Sequence, residues 1–154
     1  MAGLLLPKNL SLLSAGRQAQ HGEWPDQRFI CSYGLTQYSS ISSTASYYAT
    51  GNSLIALYGW TANPLVEYYV IDYLGNYNPG SAGQHLRSFN SDGGTYNIYQ
   101  TTRTNAPSIL GTSTFKQCLS VRTSNRLGGT ITLPIHIAAW RSKGLVGVVH
   151  SRCI

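Results

Sequence analysis

From Tyr33 to about Thr132 the chain is written in short runs of strand-forming residues, each closed by a turn signal. Ser53–Trp60 alternates, which places Leu54, Ala56, Tyr58 and Trp60 on one face of a strand. Asn63-Pro64 ends it, because the residue before a proline is pushed out of the helical region. Leu65–Asp72 then predicts a second strand, dense in β-formers at Val66, Tyr68, Tyr69, Val70 and Ile71. Asn78-Pro79-Gly80 turns the chain, and Ser91-Asp92-Gly93-Gly94 turns it again into Thr95–Tyr99. Further strands are predicted at Thr112–Arg122 and Gly129–Leu133. Turns at intervals of roughly eight to twelve residues fit a sandwich or closed sheet rather than βαβ units. The fold class is therefore all-β. One helix interrupts it at Ile135–Leu145, with Ile137, Trp140 and Arg141 at helical spacing and Gly144 as its C-terminal glycine. The tail, Val146–Ile154, has the pattern of one more strand.

A chain of 154 residues suits a single domain. Residues 1–33 form a divergent N-terminal segment with no clear period, and the domain proper spans 34–154. Met1–Leu6 is apolar, but Pro7 and Lys8 interrupt it and no basic stretch precedes it, a poor match to a signal peptide. No apolar run approaches the ~18 residues of a membrane-spanning helix. The net charge of +6 is not interleaved with aromatic residues. Arg122, Arg126, Arg141 and Lys143 crowd the last third, whereas the 11 tyrosines all lie between Tyr33 and Tyr99. A single-strand binder mixes the two, so no nucleic acid is expected as partner. Cys31, Cys118 and Cys153 form no CxxC pair. His21, His85, His136 and His150 have no ligand spacing and are expected as polar surface or capping residues. Neither a metal nor a cofactor is expected.

Charged residues make up 10% of the chain, and the carboxylates number five: Glu23, Asp26, Glu67, Asp72 and Asp92. Glu67 stands out because side chains alternate across a strand. It shares a face with Leu65, Tyr69 and Ile71, while Val66, Tyr68, Val70 and Asp72 take the other. Two readings are open. Charged residues are mostly exposed, so Glu67 fits an edge-strand glutamate facing water. It equally fits a catalytic carboxylate in an aromatic cleft, since tyrosines on neighbouring strands make an amphipathic platform. Sugars bind such platforms, their C–H faces against rings and their hydroxyls in hydrogen bonds.

The run Tyr58-Gly59-Trp60-Thr61-Ala62-Asn63-Pro64-Leu65-Val66-Glu67-Tyr68-Tyr69 resembles the signature segment of the family 11 glycoside hydrolases, the endo-1,4-β-xylanases. Ser91–Tyr99 resembles the strand leading into that family's thumb, and Arg103-Thr104-Asn105-Ala106-Pro107-Ser108-Ile109 resembles the thumb itself. Phe115–Arg122 resembles the strand that follows, and His136 with Ala139-Trp140 resembles the family's helix. The resemblance runs from about Gly34 to Leu145. It implies a β-jelly roll of two twisted antiparallel sheets with one short helix, and a cleft for xylan or xylo-oligosaccharides. It implies hydrolysis of internal β-1,4 linkages with retention, by a nucleophile and an acid/base about 5–5.5 Å apart. Residue by residue, Glu67 matches the nucleophile, and Tyr58 and Tyr69 match cleft tyrosines beside it. Trp60 sits in the same motif, while Arg103, Pro107 and Gln117 match positions that bound the cleft or touch the sugar. The family further implies a secreted, extracellular protein, expected here as a monomer.

Both ends depart from the family. Its second glutamate lies beyond the helix in a segment like Val-Glu-Gly-Tyr, whereas Gly144–His150 here carries no carboxylate. No acid/base is found. Residues 1–32 lack the family's Tyr-, Trp- and Asn-rich first strands, and Cys118-Leu119 stands where an aromatic pair is usual. The expectation is a jelly roll incomplete at both ends, from a truncated or frame-shifted gene, with impaired turnover. The alternative is a catalytically inactive xylan-binding or decoy protein derived from a xylanase.

Overall fold

In the computed structural model, residues 53–145 are described, together with the strand backbones at 29–32 and 40–44. Among the described residues the order is β1 (Phe29–Ser32), β2 (Ser40–Thr44), β3 (Leu54–Ala62) and β4 (Leu65–Leu74). A 3₁₀ turn (Pro79–Ala82), β5 (Gln84–Ser91), β6 (Gly94–Ala106), β7 (Ser113–Arg122), β8 (Gly128–Thr132) and α1 (Leu133–Arg141) follow. Six strands form one sheet in the order β1-β3-β4-β7-β6-β5, and β2 pairs with β8. The mostly-β chain with one short helix is the fold class the sequence predicts.

Strand direction is where the sheet differs from expectation. The hairpin neighbours β3–β4, β5–β6 and β6–β7 are antiparallel, but β1–β3 and β4–β7 run parallel. A short connection forces antiparallel pairing, whereas strands distant in sequence are free of that constraint. β1 also arises from the stretch in which the sequence shows no period. The predicted strand at Val146–Ile154 lies outside the described residues.

Element ends follow local chemistry. Asn78 caps the 3₁₀ turn, its side chain accepting from the Gly80 amide at 2.8 Å. β6 continues well past Tyr99, because β7 pairs with it as far as Ala106, with a register shift after Arg103. α1 begins two residues before the predicted Ile135, with Pro134 in its first turn, where a missing N–H costs nothing. It ends at Arg141, four residues before the predicted Leu145, but the predicted C-terminal glycine is in place. Gly144 has φ +66°. The Leu145 amide donates to the Trp140 carbonyl at 3.1 Å, and the Gly144 amide to Arg141 at 2.9 Å. That pair of bonds is a Schellman cap, and it needs a left-handed residue.

The alternation of β3, β4, β6 and β7 gives the larger sheet two different faces. Val66, Val70, Tyr96, Ile98 and Cys118 face α1 and β8, packing with Ile131, Leu133, Ile137 and Trp140. Trp140 is fully buried, its Nε1 donating to Ser120 Oγ at 2.9 Å and its ring 5.4 Å from that of Tyr68. The opposite face has a smaller cluster, Ala56, Ile71, Leu119 and Val121, flanked by the half-buried rings of Tyr69 and Tyr99. That face holds Glu67. Among the described residues no helix is long and apolar enough to cross a membrane.

Candidate active site

Register brings Glu67 into a row that crosses four strands. Trp60 on β3 lies opposite Glu67 on β4, Glu67 beside Gln117 on β7, and Gln117 opposite Thr101 on β6. The adjoining row is Tyr58, Tyr69, Leu119 and Tyr99. Since rows two residues apart along a strand share a face, rings and carboxylate meet on one surface.

Glu67 is 7% exposed, so the water-facing glutamate is the reading the structure overturns. Its charge is met by two donors. Tyr69 Oη donates to Oε1 at 2.8 Å, and Gln117 Nε2 donates to Oε2. Gln117 is held in turn by Thr101, whose Oγ1 donates to Gln117 Oε1 at 2.8 Å.

The rings around Glu67 are fixed as well. Trp60 Nε1 donates to Tyr58 Oη, and the Tyr58 and Tyr69 rings lie 4.8 Å apart at 46°. Phe115 meets Trp60 edge-on at 4.8 Å. Burial, and next the negative charge of Glu67, push the Tyr58 phenol up to about 12, so it stays protonated at any physiological pH. The surface thus offers neutral hydroxyls, aromatic faces and one negative charge.

Of the residues singled out from sequence, Tyr58, Trp60, Glu67, Tyr69 and Gln117 come together. Arg103 is exposed, two residues beyond Thr101 on β6 and opposite Phe115 on β7. Pro107 is exposed at the start of the β6–β7 connection. There Ser108 and Gly111 exchange backbone hydrogen bonds at 3.1 and 3.2 Å. Thr101 and Phe115 were not singled out by sequence, and the alternation of β6 and β7 is the signal that finds them once the strands are paired.

The carboxylates Asp72 and Asp92 serve the other side of the sheet. Asp72 accepts from Tyr96 Oη at 2.6 Å and from Arg126 Nε at 2.8 Å. Asp92 accepts from the Thr132 amide at 2.9 Å, from Thr132 Oγ1 at 2.6 Å and from Ser91 Oγ at 2.8 Å. Burial alone would raise the Asp92 carboxyl, but the Thr132 and Ser91 bonds outweigh it and hold the group below the usual range. Both are committed to joining the sheet to β8 and α1. His136, expected as a surface or capping residue, is instead fully buried beside them. The expectation failed because a lone histidine carries no sign of the helix face that tertiary packing will cover.

A family model described as "Glycosyl hydrolases family 11" matches residues 16–151. The chain is 55% identical over 106 residues to endo-1,4-beta-xylanase 11A of Botryotinia fuckeliana, covering 69% of this chain and 47% of that protein. It is 51% identical over 111 residues to endo-1,4-beta-xylanase 11B of Humicola insolens, covering 72% and 38%. The chain therefore spans about half the length, or less, of these curated relatives. Among solved structures it is similar to an endo-1,4-β-xylanase from Trichoderma reesei. The TM-score is 0.69 at 41% identity, covering 74% of this chain and 64% of that one.

Proposed function

This chain belongs to glycosyl hydrolase family 11, and from that premise we propose that it acts on xylan as a retaining endo-1,4-β-xylanase with Glu67 as nucleophile. The observation that carries the reading is the Glu67 carboxylate itself, nearly buried yet paired by Tyr69 and Gln117 on an aromatic face. Tyr58, Trp60 and Tyr69 supply rings and hydroxyls for xylose units, and Arg103 and Pro107 bound the cleft where β6 turns into β7. The protein works as a secreted monomer on xylan or xylo-oligosaccharides, without a cofactor and apart from nucleic acid and membranes.

In the first half-reaction a Glu67 oxygen bonds to the anomeric carbon while the bond to the leaving oxygen breaks. A second carboxyl protonates that oxygen, and later removes a proton from water to hydrolyse the glycosyl ester. Acid–base help of this kind contributes typically 10²–10⁴-fold. Asp72 and Asp92 are tied to Arg126 and Thr132 on the other side of the sheet, and Glu23 and Asp26 lie outside the described residues. Among the described residues, Glu67 is thus the carboxylate on the aromatic face, and Asp72 and Asp92 are not on it.

That division sets the test. A natural xylan linkage leaves as a poor alkoxide and needs the proton, whereas an activated aryl leaving group departs unaided. Incubated with an aryl xylobioside, the chain slowly gains a xylobiosyl ester, seen by intact-mass spectrometry and mapped to Glu67. Azide, which needs no base, releases it, and Glu67→Gln shows no adduct. An adduct elsewhere removes Glu67 from its role. Rapid xylan hydrolysis by the unmodified chain hands the acid role to one of the four other carboxylates. The commitments of Asp72 and Asp92 favour a second reading, a protein that binds xylan without turning it over. Xylan retention with neither hydrolysis nor adduct would establish it.

A further inference from the structure

Gln117 touches Glu67 through an amide whose two ends have opposite chemistry. The NH₂ end donates to Glu67 Oε2 and thereby favours an ionised carboxylate. Turned over, the same amide would present a carbonyl, which cannot pair with an ionised carboxylate and favours a protonated one. Its outward end meets Thr101, whose Oγ1 donates to Gln117 Oε1 at 2.8 Å. The position of the Thr101 hydroxyl oxygen is itself constrained. Threonine has few allowed χ1 rotamers, and its methyl packs against a bare backbone at Gly83, where even an added Cβ would lie 2.7 Å from Thr101 Cγ2. With the methyl seated at Gly83, the hydroxyl is aimed across the β6–β7 pair at the Gln117 amide.

We infer that Thr101 is a positioning residue, whose hydroxyl, seated by the methyl at Gly83, anchors the outer end of the Gln117 amide and so keeps the NH₂ end in hydrogen-bond contact with the Glu67 carboxylate. Its hydroxyl bonds to Gln117 and not to the carboxylate, so it acts on Glu67 through Gln117. Its catalytic consequence rests on Glu67 being the nucleophile, but its effect on the Glu67 carboxyl does not. Among the described residues, the other titratable or charged groups on this face include the phenols of Tyr58 on β3, Tyr69 on β4 and Tyr99 on β6, with Arg103 two residues beyond Thr101 on β6 and His85 on β5 against the Tyr99 ring at 5.3 Å.

The test removes one hydroxyl. Thr101→Val keeps the branched shape, the methyl on Gly83 and a residue suited to a strand. Thr101→Ser keeps the hydroxyl. The chain has two glutamates, Glu23 and Glu67. Side-chain ¹³C-carboxyl labelling therefore gives two signals, and Glu67→Gln assigns them. In Thr101→Val the Glu67 signal titrates at higher pH, its proton affinity up by roughly threefold to tenfold, the net worth of an ordinary hydrogen bond. Thr101→Ser returns it toward the parent. Adduct formation from the aryl xylobioside slows by the same factor on the acid side in Thr101→Val and recovers at higher pH, whereas a loosened fold would slow it at every pH. A Glu67 titration unmoved by Thr101→Val overturns the inference, whatever the adduct rate does. A shifted titration in a protein whose parent forms no adduct would sink the nucleophile and leave the positioning role standing.

Discussion

Taking the protein from pH 7 toward pH 4 brings a proton to the centre of its core, at His136 on α1. The imidazole is fully buried, edge-on to Tyr96 at 4.7 Å and to Phe89 at 5.1 Å, and neither ring nitrogen has a hydrogen-bond partner. Burial lowers its pKa from 6.5 to about 4; the Asp92 charge, with an oxygen 4.0 Å away, opposes the shift, and Arg126 adds to it. The unfolded chain therefore takes up a proton near 6.5 that the folded chain refuses until about 4. Between those values the unfolded state binds more protons, so stability is complete above the upper one and falls as the pH drops. At about 1.4 kcal/mol per unit, a gap from 6.5 to about 4 removes about 3 kcal/mol. Against a typical total of 5–15 kcal/mol, that is a large fraction. Urea denaturation followed by tryptophan fluorescence at pH 7, 6, 5 and 4.5 measures it. His136→Phe supplies the control, because a ring of similar size suits the cage of Phe89, Tyr96 and Trp140 and leaves no unpaired nitrogen. Its stability at pH 7 should equal or exceed the parent's, and its slope between pH 6.5 and 4 should flatten. The acid sensitivity that remains belongs to groups such as Asp92, whose depressed value makes its contribution disappear only as the pH falls through the low carboxylate range. Parallel pH curves for parent and variant would refute the reasoning.

Three further outcomes are expected. Tyr69→Ala removes a ring and a donor to Glu67, and should weaken the fluorescence response to xylo-oligosaccharide by about 1 kcal/mol or more; an unchanged titration takes Tyr69 out of the site. Asp72→Ala strips the buried Tyr96–Arg126 junction of its acceptor and should cost about 3 kcal/mol in denaturant unfolding, with a loss under 1 kcal/mol showing the pair to be superficial. Gly144→Ala meets no atom within 4 Å but must hold φ +66°, so thermal unfolding should show about 1 kcal/mol of purely backbone cost, and no change would deny the cap its left-handed requirement.

The sequence by itself determined β3, β4, β6, β7 and β8 and the faces they present, but not β1, β2 or β5. Period-two alternation put Tyr58 with Trp60, and Glu67 with Tyr69, because side-chain direction in a strand depends on the backbone alone. Gly144 announced the end of α1 for a similarly local reason, since glycine alone takes a left-handed cap without strain. What the sequence left open was how deeply Glu67 is buried and what pairs with it. Gln117 lies 50 positions from Glu67, and the Thr101 bond to Gln117 spans 16 more. Those distances close only when β4 takes β7 as a parallel neighbour and β7 takes β6 as an antiparallel one. Pairing order also sent Asp72 and Asp92 into bonds with Arg126 and Thr132, away from the face that holds Glu67. His136 marks the limit most plainly. Its identity predicts a polar surface residue, and only the docking of α1 over Tyr96 and Phe89 removes it from water, because burial belongs to the assembled layers and not to any residue within them.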